Sequence, residues 1–79
     1  MKKSEERLTN ILVKVLLIEP EDLSDDIRRK EYEEWDSMAH LLLVSEIENE
    51  FGVFFEDEEV IDMWTVGDVK AALQKKLAT

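Results

Sequence analysis

The chain has 79 residues, with 20 Asp and Glu against 10 Lys and Arg, one His and no Cys. So short a chain predicts a single domain over residues 1–79, and a hydrophobic fraction of 44% is enough for a core. The absence of Cys excludes disulfides, thiolate zinc sites and a Cys nucleophile, and one His excludes a multi-histidine metal site. So small a domain has little room for an enclosed active site, which favours binding or carrying over catalysis.

The excess negative charge lies in the middle of the chain. Residues 1–30 contain seven acids and seven bases, whereas residues 31–69 contain 13 acids, His40 and no Lys or Arg. Such a field repels nucleic acid and anionic membranes and favours basic protein partners. No apolar run approaches the roughly 20 residues that span a bilayer, and the N-terminus lacks the apolar stretch of a signal peptide. We therefore expect a cytoplasmic protein with no nucleic-acid partner and no membrane insertion.

Residues 4–17 are predicted to form an amphipathic helix, which Ser4 caps and Pro20 stops. Its apolar face consists of Leu8, Ile11, Leu12, Val15 and Leu16. Residues 18–35 are dense in charge and show no sustained period, which predicts a long loop. The candidate anchors of this loop on the core are Leu23, Ile27 and Tyr32.

The second helix is predicted to begin at Asp36 or Ser37, either of which can cap it, and to end at Glu50 or Phe51 before Gly52. It is the most apolar element, and a helix that is apolar all round is usually central and buried. Its apolar residues are Met38, Leu41, Leu42, Leu43, Val44, Ile47 and Phe51.

After an extended link at residues 53–55, a short helix is predicted over residues 57–63. The last helix begins near Thr65 and Asp68, whose spacing resembles a capping box. Its expected buried face is Val66, Val69, Leu73 and Leu77. The aromatic residues expected in the core are Phe54, Phe55 and Trp64. The prediction is an all-α fold, a small four-helix bundle of three longer helices and one short helix, with a long loop between the first and second helices.

Ser37 is the candidate functional residue because its hydroxyl lies where an apolar helix begins. A helix N-terminus offers unpaired amides and positive potential to a phosphate bonded to such an oxygen, although most serines there only cap the helix. A hydrolase that pairs Ser37 with His40 is disfavoured, since nothing supplies an oxyanion hole or an orienting acid, and we expect His40 to be exposed. The acidic run 56–59 lacks the alternating acids and central Gly of an EF-hand loop, so no metal site is expected.

Four segments follow one another along the chain: Trp35–Met38, Glu48–Val53, residues 56–59 and Thr65–Val69. Their order and spacing resemble the acyl carrier protein family over essentially the whole chain. In that family an Asp-Ser-Leu motif marks the serine that receives a 4′-phosphopantetheine arm from coenzyme A. Ser37 matches this serine, Asp36 the preceding acid and Met38 the following apolar residue.

The resemblance implies a non-catalytic carrier that holds acyl intermediates as thioesters on the arm, in fatty acid, polyketide or related specialised biosynthesis. It implies a monomer whose partners are a phosphopantetheinyl transferase and acyl-loading and acyl-transferring enzymes with basic or mixed docking surfaces. The residues expected to contact these partners are Ala39, His40, Leu42, Glu46, Glu48 and Glu50.

Two departures refine the resemblance. Trp35 before the Asp, with the Ile-Glu-x-Glu-Phe-Gly-Val run at residues 47–53, is more similar to stand-alone carriers of specialised bacterial pathways. Ala39, His40 and Leu42 stand where fatty-acid carriers have acids, so we expect Leu42 to be partly exposed and to offer partners an apolar contact.

Three alternatives stay open at the level of sequence. Leu42 packs instead under the long loop, against Ile27 or Tyr32. Trp35 either packs on the loop or flanks the arm. In a different functional class, the chain is an unmodified acidic helical module that binds a basic protein.

Overall fold

A computed structural model describes residues 2–78, with side chains from residue 4 onward. This part of the chain forms four α-helices and no strand: α1 (Lys2–Leu16), α2 (Ser37–Phe51), α3 (Asp57–Ile61) and α4 (Val66–Ala78). A 3-10 helix at Pro20–Asp22 lies between α1 and α2, and none of the described helices is both long and apolar enough to cross a bilayer. The predicted all-helical class is confirmed, with three longer helices and one short one.

The core is built around the packing of α1 on α2. The apolar face predicted for α1 is entirely buried: Leu8, Ile11, Leu12, Val15 and Leu16. Four residues of α2 are buried, His40, Leu43, Val44 and Ile47. Because α1 covers only this side of α2, the opposite side remains in solvent.

The helix α4 closes the core with Val66, Val69 and Leu73, as predicted. The prediction for Leu77 is wrong, since this side chain is exposed. The inward stripe of α4 continues from Leu73 to Lys76, whose ammonium lies 5.8 Å from the centre of the Phe55 ring. Lys76 therefore takes the inward position that the apolar pattern assigns to Leu77.

The helix ends follow local side-chain chemistry. Gly52 ends α2 in the left-handed conformation, with φ of 66°. At α4, the Thr65 hydroxyl accepts a hydrogen bond from the Asp68 amide at 3.0 Å, and the Asp68 carboxylate accepts one from the Thr65 amide at 3.1 Å. The predicted capping box is thus formed. Ser4 is not a cap, because α1 begins at Lys2 and a capping residue precedes the first helical residue.

The extended segment before α3 places its two aromatic residues on opposite sides. Phe55 is buried, as predicted, but Phe54 is 65% exposed. Consecutive side chains of an extended backbone point in opposite directions, so only one of the pair can enter the core. The helix α3 then ends at Ile61, two residues earlier than predicted, and contains no buried residue.

The segment between α1 and α2 is held along the start of α4 by backbone hydrogen bonds. The amides of Val66 and Gly67 donate to the carbonyls of Ile27 and Asp25, both at 3.1 Å. The expected anchors Leu23, Ile27 and Tyr32 are half-buried and pack against the core. These contacts place the residues after Ile27 next to the connection between α3 and α4.

Candidate functional site

Ser37 is exposed and is the first residue of α2. The preceding Asp36 has an extended backbone and caps the helix: its carboxylate accepts a hydrogen bond from the Ala39 amide at 2.8 Å. The carbonyl of Asp36 accepts the His40 amide at 2.9 Å, which closes the first helical turn. The amides of Ser37 and Met38 have no acceptor within the helix, so the Ser37 hydroxyl lies at the positive end of the helix dipole.

A groove of about 390 Å³ opens beside Ser37, between α2 and α3. Its lining residues are Arg29, Ser37, His40, Leu41, Val60, Ile61 and Trp64. Leu41 follows Ser37 by one helical turn, and Val60 and Ile61 belong to α3. The groove is therefore mainly apolar, with one hydroxyl and one guanidinium in its lining.

His40 is 4% exposed, so the prediction that it is an exposed partner contact is wrong. Its ring bridges two parts of the chain: Nδ1 accepts a hydrogen bond from the Trp35 indole N–H at 3.0 Å, and Nε2 lies 2.8 Å from the Val60 carbonyl oxygen. Because Nδ1 accepts, Nε2 carries the proton and donates to Val60. Burial is compatible with this polar ring because both nitrogens have partners.

The environment of His40 favours the neutral ring. Burial lowers the pKa of His40 below its ordinary value of 6.5; the hydrogen bond to Val60 opposes this shift, and the positive charge of Arg29 adds to it. Since the lone pair of Nδ1 is occupied by Trp35, His40 is not placed to act as a base on Ser37. Trp35 is itself buried, so of its two open alternatives the structure favours packing over flanking the groove.

Arg29 is a lining residue that the sequence pattern did not reveal. Its amide donates to the Trp64 carbonyl at 2.7 Å, and its Nη2 donates to the Ile61 carbonyl at 3.0 Å. Its guanidinium carbon lies 4.1 Å from the centre of the Trp64 ring. Trp64, expected in the core, is 47% exposed, because the guanidinium and not the core covers its ring. The only feature of the sequence that distinguishes Arg29 is its position just before residues 31–69, which contain no Lys or Arg.

The solvent side of α2 next to Ser37 is apolar. Met38, Leu41 and Leu42 are exposed, and Ala39 is half-buried. The expected exposure of Leu42 is confirmed, and the alternative in which it packs under the first loop is wrong. The expectation that Leu41 is buried is also wrong, because α1 covers only the other side of the helix.

The three acids expected to contact partners each have a partner within the chain. Glu46 forms a salt bridge with Lys14 at 3.1 Å, and Glu50 forms one with Arg7 at 2.6 Å. The carboxylate of Glu48 accepts the Phe55 amide at 2.9 Å.

The phosphopantetheine attachment site family matches residues 6–73, a range that contains Ser37 and the whole groove. No curated protein matches the chain. Members of this family carry covalently attached 4′-phosphopantetheine and are generally non-catalytic carriers. Because the match spans most of the chain, the protein belongs to the phosphopantetheine attachment site family and is a phosphopantetheine carrier.

Proposed function

We propose that Ser37 carries the 4′-phosphopantetheine arm, and that the protein presents acyl intermediates to enzymes of fatty acid, polyketide or related specialised biosynthesis. The observation that carries this proposal is the exposed Ser37 hydroxyl at the first residue of α2, beside a groove of about 390 Å³. The other serines of the described residues lack this combination. Ser4 and Ser45 lie within helices, and the Ser24 hydroxyl accepts the Asp26 amide.

The residues at this site fit such an arm. The Ser37 oxygen forms the new bond to phosphorus, the pyrophosphate bond of coenzyme A breaks, adenosine 3′,5′-bisphosphate leaves, and the hydroxyl proton passes to the transferase. Asp36 holds the first turn of α2, which leaves the amides of Ser37 and Met38 available to a phosphate that would be attached to Ser37. When bound, the arm supplies a terminal thiol that holds acyl groups as thioesters. The apolar side chains of Leu41 and Val60, which line the groove, would shield such groups from water.

The proposed partners are a phosphopantetheinyl transferase and acyl-loading and acyl-transferring enzymes. We assign their contacts to the apolar surface formed by Met38, Ala39 and Leu42, rather than to His40. The acids Glu46, Glu48 and Glu50 contribute at the rim of this surface, where each would exchange an internal contact for one with the partner. In the same proposal, residues 18–35 serve as the long first loop typical of acyl carrier proteins.

Intact mass tests the attachment site. The purified protein is incubated with coenzyme A, magnesium and a phosphopantetheinyl transferase of broad specificity. The wild type should gain the mass of one arm, Ser37→Ala should gain none, and Ser45→Ala, which changes another exposed serine of α2, should react like the wild type. A Ser37→Ala protein that gains the arm would overturn the assignment. A wild type that gains none would favour the unmodified interaction module.

A further inference from the structure

Arg29 is half-buried and has no carboxylate partner among residues 4–78, in a protein that has twice as many acids as bases. The salt bridges among the described residues use four other bases, Arg7, Lys14, Lys70 and Lys76. A partly buried charge is costly unless an opposite charge or hydrogen bonds compensate it. One hydrogen bond to a carbonyl compensates the charge only in part, so the guanidinium of Arg29 keeps donors for an anion from outside the polypeptide.

The guanidinium of Arg29 is fixed in place by two contacts. Its Nη2 donates to the Ile61 carbonyl at 3.0 Å, and its central carbon lies 4.1 Å from the centre of the Trp64 ring. A guanidinium has five N–H donors, so one bond to a carbonyl leaves most of them for a second acceptor. Because the side chain is already ordered, binding an anion there loses little conformational entropy.

The groove that Arg29 lines also contains Ser37, and the rest of its lining is uncharged. Three lining side chains are aliphatic, Leu41, Val60 and Ile61, and His40 is held neutral. The lining thus suits a chain that is mostly apolar and bears one negative group. Arginine pairs with phosphate and carboxylate through two parallel hydrogen bonds, which makes these the matching chemistries.

We propose that Arg29 binds an anionic oxygen of the group that Ser37 carries. This inference rests on the proposed function. The anion has two possible sources that share this chemistry: the phosphate of the arm itself, or a carboxylate on the acyl cargo, as in a half-thioester of a dicarboxylic acid. In the second case the groove selects acidic cargo over neutral cargo of the same length.

The test compares the unmodified protein, the protein with a free arm, and the protein loaded with a dicarboxylic half-thioester or with its neutral methyl ester. Each form is made in the wild type, in Arg29→Gln and in Arg28→Gln. Arg28 is the matched control, because it is an exposed arginine adjacent in sequence and does not line this groove. The readouts are the thermal midpoint of each form relative to its own unmodified protein and the ³¹P resonance of the arm. The relative midpoint cancels any change in basal stability that the substitution causes.

If the phosphate is the ligand, Arg29→Gln moves the ³¹P resonance and lowers the relative midpoint of the free-arm form by about 4 °C or more, whereas Arg28→Gln does neither. If the cargo carboxylate is the ligand, the free-arm forms of the wild type and Arg29→Gln have equal relative midpoints and equal ³¹P resonances. The acidic cargo then raises the wild-type midpoint above that of the methyl ester, and Arg29→Gln abolishes this difference.

Equal relative midpoints and equal ³¹P resonances in the wild type and Arg29→Gln, for all forms, would overturn the inference. Should Arg29→Gln fail to fold, the Nε–H resonance of Arg29 in the wild type decides. It shifts on attachment of the arm or on acidic loading if the inference is right, and it stays fixed if it is wrong. Failure of the wild type to gain any arm is a different result, since it contradicts the proposed function itself.

Discussion

At the scale of single residues, His40 links three parts of the chain through one ring. Trp35 donates to it from the end of the first loop, and it donates in turn to Val60 of α3. This arrangement needs the neutral ring, because a protonated Nδ1 would direct a second N–H at the indole N–H. Protonation of His40 would therefore break the Trp35 contact of a residue that lines the groove beside Ser37.

We predict that the wild type loses stability as the pH falls below about 6.5, the ordinary pKa of His. The pKa of His40 is lowered in the folded state, so the unfolded chain binds the proton first and is stabilised relative to the folded chain on acidification. The contribution of the neutral His40 ring to folding stability is fully present above pH 6.5. It declines by up to about 1.4 kcal/mol per pH unit until the folded-state pKa is reached. Urea unfolding at about pH 7.5 and about pH 5.5 measures this loss.

The control for this prediction is His40→Gln, which lacks the titrating ring. We expect this variant to be less stable than the wild type at neutral pH, since it disturbs two buried hydrogen bonds. Its stability should vary less between the two pH values than that of the wild type. Equal pH dependence of the two proteins would show that other groups, such as the carboxylates, cause the loss.

At the scale of elements, α2 has two different sides. Leu43, Val44 and Ile47 face α1 and the core, whereas Met38, Leu41 and Leu42 face solvent beside Ser37. Several large apolar side chains exposed next to one another on a small domain usually indicate a binding surface. Substitutions can therefore test separately the structural role of the inner side and the proposed recognition role of the outer side.

For this surface we predict that Leu42→Glu stays folded but accepts the arm more slowly from the transferase. Leu42 is 51% exposed, and Leu and Glu have similar helix propensities, so the free energy of unfolding should change by no more than about 1 kcal/mol. Thermal unfolding measures the first effect, and the rate of mass gain measures the second.

Ser45→Glu is the matched control, because it adds the same charge at another exposed position of α2. If the rate of arm attachment falls equally in both variants, the added charge is responsible and the loss of the apolar contact is not. A Leu42→Glu protein that fails to fold would mean that Leu42 supports the core.

The predictable parts of these elements were those that local chemistry determines. The cap at Asp36, the left-handed Gly52 and the box of Thr65 with Asp68 all depend on residues within a few positions of one another. Which side of α2 faces inward could not be predicted, because apolar residues surround this helix and its pattern has no preferred face. The burial of His40 likewise depends on a partner 20 residues away.

At the scale of the whole molecule, acids outnumber bases by ten, and opposite charges compensate one another only at individual salt bridges. Among the described residues, four salt bridges connect bases of α1 and α4 to acids elsewhere, and the side chains involved are at least partly exposed. Exposed pairs of this kind contribute little to stability. No group of three or more His, Asp or Glu side chains in residues 4–78 is placed to hold a metal ion. Repulsion among the acids of residues 31–69 is therefore expected to dominate the electrostatic free energy.

We predict that added salt raises the thermal midpoint. Raising the ionic strength from about 0.01 M to about 0.1 M shortens the screening length from about 30 Å to about 10 Å, which weakens repulsion between acids that are not in contact. Thermal unfolding in sodium chloride and in choline chloride measures the effect, and agreement between the two salts identifies screening as its cause. A midpoint that falls with salt would show that the four salt bridges outweigh the repulsion.

The wall of the groove formed by α3 has a further consequence for dynamics. This helix has five residues, none of them buried, and polar contacts tie it to three neighbours: His40 to Val60, Arg29 to Ile61 and Lys76 to Glu59. Detaching it breaks these contacts while the α1–α2 core stays packed, so its opening costs much less free energy than global unfolding. In the proposed carrier, such local opening would ease the passage of a long acyl chain between the groove and solvent. Substitutions that remove one of these three polar contacts would change the rate at which α3 opens without a matching change in the overall stability of the protein.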